Sequence, residues 1–159
     1  MSGSPRLTRR RWLTLVAALP AAARAQETAL PRPASLPAEA TAAAKRGEPL
    51  VLLVSLPGCP YCERIRRDHL SPLLRESGGG VVQIDLGSTR PLTDFDGATR
   101  THDAFARTRQ ATFTPTVLFL GPRGDEIAER LVGAGVPDFY GAYFEQRLVT
   151  ARKVLSREP

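Results

Sequence analysis

The sequence predicts a single α/β domain, one mixed four-stranded sheet with helices on both faces. Three observations lead there. Strand-length apolar runs alternate with helix-period segments, the first run is apolar throughout, and the last two strands are joined by a four-residue turn. The 159 residues give room for one ordinary domain with its own core, and no internal repeat or second domain is visible.

Taken in order, Pro37 to Arg46 is alanine-rich, starts with proline and is followed by Gly47, which predicts a short helix. Leu50-Val51-Leu52-Leu53-Val54 is a strand covered on both faces, stopped by Pro57-Gly58. From Pro60 to Leu74 the apolar residues Ile65, Leu70, Leu73 and Leu74, with His69, recur at helical spacing. Gly78-Gly79-Gly80 breaks the chain, and Val81 to Leu86 is a second strand. Gly87 to Gly97 reads as turn-rich, including Asp94 and Asp96, which lack the further carboxylates of a metal loop. Thr101 to Gln110 predicts a short helix. Thr116 to Leu120 and Glu126 to Val132 form a hairpin about Gly121-Pro122-Arg123-Gly124. Finally, Pro137 to Arg152 predicts a helix whose stripe of Phe139, Tyr140, Tyr143, Phe144, Leu148 and Ala151 packs into the core.

Charge narrows the function. Of 22 basic residues, Arg6, Arg9, Arg10, Arg11 and Arg24 lie in the first 25 positions, where there is no acid; the remainder holds 17 basic against 16 acidic residues, a net of +1. A near-neutral body lacks the footprint of a nucleic-acid binder.

The N-terminus reads as an export signal over residues 1–25: a basic head, an apolar centre and Ala23-Arg24-Ala25 before the expected cleavage at Gln26. The apolar centre is shorter than the roughly 20 residues a settled membrane helix needs, so no permanent anchor is expected. The paired arginines of Thr8-Arg9-Arg10-Arg11-Trp12-Leu13 resemble a twin-arginine signal, with an ordinary secretory signal as the alternative. Either reading places the protein outside the cytoplasm, in the periplasm. Residues 26–36, with Leu30-Pro31-Arg32-Pro33, read as an extended, solvated linker, and residues 37–159 as the domain.

Two cysteines remain, spaced Cys59-Pro60-Tyr61-Cys62. A disulfide closing so short a loop gains little unfolded-state entropy, so chemistry explains the spacing better than stapling. The pair stands where a buried strand meets a helix. Unpaired N–H groups and the helix dipole there favour a Cys59 thiolate. Pro60 suits the first helical position, having no N–H to leave unpaired. Cys59 is accordingly the expected attacking thiol and Cys62 the resolving one. Haem attachment is excluded because Glu63, not histidine, follows Cys62. A copper or zinc carrier using the cysteines with His69 or His102 is the alternative reading, although the histidines stand in no zinc spacing. Arg64, Arg66 and Arg67 fit either a solvated helix face or support for a thiolate.

The pattern of Val51 to Leu56, Pro57-Gly58-Cys59-Pro60-Tyr61-Cys62 and then Phe113-Thr114-Pro115-Thr116-Val117-Leu118-Phe119-Leu120 resembles the thioredoxin superfamily over about Leu36 to Leu155. It is most similar to periplasmic thioredoxin-like proteins of the SoxW type, and in Pro60-Tyr61 to glutaredoxins. The resemblance implies a thioredoxin-like fold and a thiol-disulfide oxidoreductase. It implies a cis-proline at Pro115, with Thr114, Pro115, Pro60 and Tyr61 meeting the substrate. It also implies exported cysteine-containing proteins as partners and, for a reductase, a membrane thiol electron donor. The chain departs from thioredoxins at Leu53, where they bury a carboxylate. No nicotinamide, flavin or other cofactor motif is present, and a monomer is expected.

Overall fold

The computed structural model describes residues 29–157. The export signal expected over 1–25 and the start of the expected linker lie outside them.

Helix α1 (Leu36–Ala44) begins where the Ser35 hydroxyl accepts from the Ala38 N–H, with Pro37 in its first turn. Strand β1 (Leu50–Ser55) leads into a helical run made of α2 (Pro60–Ile65), a π-helical turn (Arg66–Leu70) and α3 (Ser71–Ser77). Pro72 supplies a cause for the wider turn, since it has no N–H to donate and its ring crowds the carbonyl four residues back. Next come β2 (Val81–Asp85), β3 (Pro91–Thr93), β4 (Thr99–Thr101), α4 (His102–Thr108), β5 (Thr116–Leu120), β6 (Glu126–Val132) and α5 (Pro137–Leu155).

The main sheet has the order β2-β1-β5-β6. Strand β1 runs parallel to β2 and antiparallel to β5, which is antiparallel to β6. All six residues of β1 are buried, as its unbroken apolar run requires. Alternate residues feed two cores. Val51, Leu53, Val81, Val117 and Phe119 pack with Ile65, Leu70 and Leu73 and with Tyr140, Phe144 and Leu148 of α5. On the opposite face Leu50, Leu52, Val54, Ile84, Leu118 and Leu120 meet Leu36 of α1 and Phe105 of α4. The mixed four-stranded sheet with helices on both faces is therefore what the sequence predicts.

Four local expectations are corrected. The turn-rich stretch contains a small hairpin, β3 on β4, closed by Arg100, whose guanidinium pairs with Asp94 at 2.7 Å and Asp96 at 2.5 Å. The 29–35 lead-in is docked rather than solvated. Leu30 is buried, the Gln83 N–H donates to the Pro31 carbonyl at 2.8 Å, and the Thr93 N–H donates to the Ala34 carbonyl at 2.8 Å. The aromatic stripe of α5 divides: Tyr140 and Phe144 are core, whereas Phe139 and Tyr143 are more than half exposed, at 59% and 54%. Lastly, Arg66 is buried, at 9% exposure, and so does not share the solvated face of Arg64 and Arg67.

Gly124 in the β5–β6 turn shows why that residue is glycine. Its φ is +84° and a Cβ would stand 2.3 Å from the Phe95 ring.

Truncating the buried ring in Phe144→Ala is expected to cost about 3–5 kcal/mol. Phe139→Ala on the exposed side should change stability by about 0.5 kcal/mol or less. Denaturant unfolding of the two variants checks the division of the stripe; equal losses would contradict it.

Candidate functional site

The end of β1 turns sharply toward the helix through Gly58, at φ +76°, and the Cys59 N–H closes the turn on the Leu56 carbonyl at 3.1 Å. Cys59 is the N-cap of α2. Its Sγ accepts from the Cys62 N–H at 3.2 Å, and Pro60 occupies the start of the helix. The helix thus aims an otherwise unpaired N–H at the first sulfur, as the position of the motif predicts. Cys59 and Cys62 are joined as a disulfide with Cα atoms 5.3 Å apart. Cys59 is partly exposed and Cys62 has no exposed surface, while Tyr61 between them is 53% exposed. Arg64 lies over the Tyr61 ring, 5.9 Å from its centroid.

The second motif reaches the same end of the sheet. Thr116 at the start of β5 is paired with Val54 near the end of β1, so Thr114 and Pro115 lie beside the strand end that carries Cys59. The Thr114–Pro115 peptide is cis. Pro115 is buried and Thr114 partly so; the Pro115 carbonyl accepts from the Gly133 N–H at 2.7 Å, tying the loop to the end of β6. Phe113, at 63% exposure, and Val132, at 58%, add apolar surface here.

Beneath the helix is a polar cluster that the sequence reading did not assemble. The Arg66 Nε donates to Gln83 Oε1 at 2.8 Å and its Nη2 to the Ser55 hydroxyl at 3.3 Å, while Nη1 pairs with Glu63 at 2.5 Å. Gln83 Nε2 donates to Asp85 Oδ1 at 2.6 Å, and Asp85 pairs with Arg32 at 2.7 Å. These side chains line a cavity of about 490 Å³ that reaches Leu56 and Pro57. The sequence does carry a signal for it: Gln83 and Asp85 are polar at alternate positions of a strand otherwise wholly apolar, so both fall on one buried face and need partners there. Leu53, the neighbour of Gln83 across the β1–β2 pairing, is fully buried and apolar.

The histidines stand apart from this chemistry. His69 packs between the rings of Tyr140 and Phe144, with centroids 5.1 and 5.8 Å away. His102 is fully buried, its Nδ1 accepting from the Asp85 N–H at 3.2 Å. Among the described residues no three His, Cys, Asp or Glu side chains are grouped closely enough to hold a metal ion. The carrier reading therefore lacks a ligand set.

A thioredoxin-like domain family matches residues 36–147. The chain belongs to that family. Among solved structures it is similar to a thioredoxin-fold protein from Helicobacter pylori, with 18% identity, TM-score 0.50, and 81% of this chain and 90% of that one covered. It also matches mitochondrial thioredoxin 3 from Saccharomyces cerevisiae in its oxidized form, with 19% identity, TM-score 0.44, and coverage of 76% and 95%. A comparison with curated proteins gave no match. In this chain the cysteine pair and the cis Thr114–Pro115 peptide stand at one end of the sheet, with a leucine at position 53 and a buried arginine at position 66.

Burial pushes the imidazoles of both His69 and His102 below the usual 6.5, against the opposing pull of Asp68 and Glu145 on the first and Asp85 on the second. A depressed histidine favours the neutral folded form, so its stabilisation is complete above 6.5 and is lost as pH falls from 6.5 through the lower folded value. Unfolding midpoints in denaturant should therefore drop between pH 7 and 5 by a shallower slope in His69→Phe than in the unmodified protein. An identical slope would contradict the assignment.

Proposed function

We propose that the chain is an extracytoplasmic thiol-disulfide oxidoreductase acting on cysteine-containing exported proteins. The observation that carries this reading is the partly exposed Cys59 sulfur at a helix N-terminus, accepting the Cys62 N–H and bonded to a buried Cys62. In the reducing direction the Cys59 thiolate attacks a substrate disulfide and forms a mixed disulfide, expelling one substrate thiolate. The Cys62 thiolate then attacks the Cys59 sulfur. That attack breaks the mixed disulfide and expels the second substrate thiolate; the substrate, with two protons taken from solvent, leaves as a dithiol, Cys59 and Cys62 are oxidised by two electrons to the disulfide, and a thiol donor must reduce it again.

Thr114, Pro115, Pro60 and Tyr61 are the proposed substrate contacts. Their position beside Cys59 and the exposed Phe113 and Val132 support a docking surface at this end of the sheet. Reduction or isomerisation is favoured over oxidation by the resemblance of Pro60-Tyr61 to glutaredoxins. The basic and apolar N-terminus supports export to the periplasm, and among the described residues no helix is long and apolar enough to cross a membrane. A membrane thiol electron donor, a monomeric state and kinship with SoxW-type proteins complete the proposal. It requires no cofactor.

Purified protein lacking residues 1–25 should reduce protein disulfides when supplied with a thiol reductant. Cys59→Ser should abolish turnover, and Cys62→Ser should accumulate a mixed disulfide visible on non-reducing gels. Full activity in Cys59→Ser would overturn the proposal.

A further inference from the structure

Glu63 is the single acid on α2, and its N–H donates to the Cys59 carbonyl at 3.1 Å, which sets it one helical turn beyond the N-cap cysteine. A carboxylate there opposes a thiolate on Cys59, as any like charge at that spacing does. The Glu63 side chain is 59% exposed, whereas that of its partner Arg66 is 10% exposed. Arg66 is pinned beneath the helix by Gln83 and Ser55, and Gln83 is itself oriented by Asp85. A guanidinium fixed in this way is present at full charge whether or not Glu63 joins it.

The other charges around Cys59 are engaged elsewhere. Arg64 extends over Tyr61, Arg67 pairs with Asp68, and Asp85 on β2 pairs with Arg32. The loop from Thr112 to Thr116 carries no charge. Cys59 therefore stands at a helix N-terminus with an acid one turn along whose partner is a buried cation.

We propose that the Glu63–Arg66 pair tunes Cys59: Arg66 is a positioning residue that neutralises the carboxylate one helical turn from the attacking cysteine and so keeps the reduced pair reactive. The inference rests on the redox reading above. It assigns opposite signs to its two members. Removing Arg66 unmasks Glu63, destabilises the thiolate and favours the disulfide form. Removing the Glu63 charge leaves Arg66 uncompensated, stabilises the thiolate and favours the dithiol form.

The test measures the exchange equilibrium with glutathione, together with the Cys59 pKa from thiolate absorbance, in full-length domain carrying Arg66→Met, Glu63→Gln or both. Arg66→Met is expected to shift the equilibrium about threefold toward the disulfide and raise the thiol pKa, a modest effect because Glu63 is solvent-screened. Glu63→Gln is expected to shift both about threefold the other way, and the double variant to return within about twofold of the starting value. A merely structural Arg66 would leave its effect intact in the double variant, which overturns the proposal, as does movement of both single variants in the same direction or of neither. Should Arg66→Met fail to fold, Glu63→Gln alone decides by its sign. An unmodified protein that exchanges nothing with glutathione overturns the redox reading itself, whereas normal exchange with unshifted variants overturns only this inference.

Discussion

Strand β1 has water on neither face, so each of its six residues must find packing and hydrogen bonds inside the protein. It meets that demand by pairing with β2 on one side and β5 on the other, while its alternate side chains enter two separate cores. The end of such a strand has little freedom of direction. Cys59 inherits that fixity four residues beyond Ser55, and the start of β5 brings Thr114 and Pro115 to the same place through the Val54–Thr116 pairing. Cys59 and the Thr114–Pro115 loop are thus positioned by the same hydrogen-bond ladder.

Against this dry strand the polar cluster below α2 is an exception that has to be satisfied internally. A buried guanidinium without partners would be costly, and Arg66 has three: Glu63, Gln83 and Ser55. The chain of contacts runs on through Asp85 to Arg32, alternating acceptor and donor until it reaches solvent. It links the active-site helix, β1, β2 and the lead-in, so the orientation of the helix is set by polar contacts as well as by apolar packing.

The order of elements, the four main strands and the location of the cysteine pair were legible in the sequence because each rests on local pattern: an apolar run, a glycine break, a Cys-x-x-Cys at a strand-to-helix turn. The β3–β4 hairpin was not, since three-residue strands are too short to show a period. Of the two readings open for Arg66, burial removes the solvated face, and helical spacing alone could not show it because spacing says nothing about which polar side chains an adjacent strand offers. Phe139 and Tyr143 each stand one residue before a buried ring, about 100° round the helix, so the spacing places them at the edge of the apolar stripe without showing on which side of the boundary they fall. The prolines of the lead-in signalled extension correctly and solvation incorrectly; burial of Leu30 decided the matter.

That lead-in also governs what the sheet can become. Strand β2 lies at one end of the order β2-β1-β5-β6, and a bare end strand is a template on which a second chain can add itself. Here the Gln83 N–H donates to the Pro31 carbonyl across that margin. The short segment ahead of the domain therefore covers part of that border and takes up one of the β2 donors that a second chain would need.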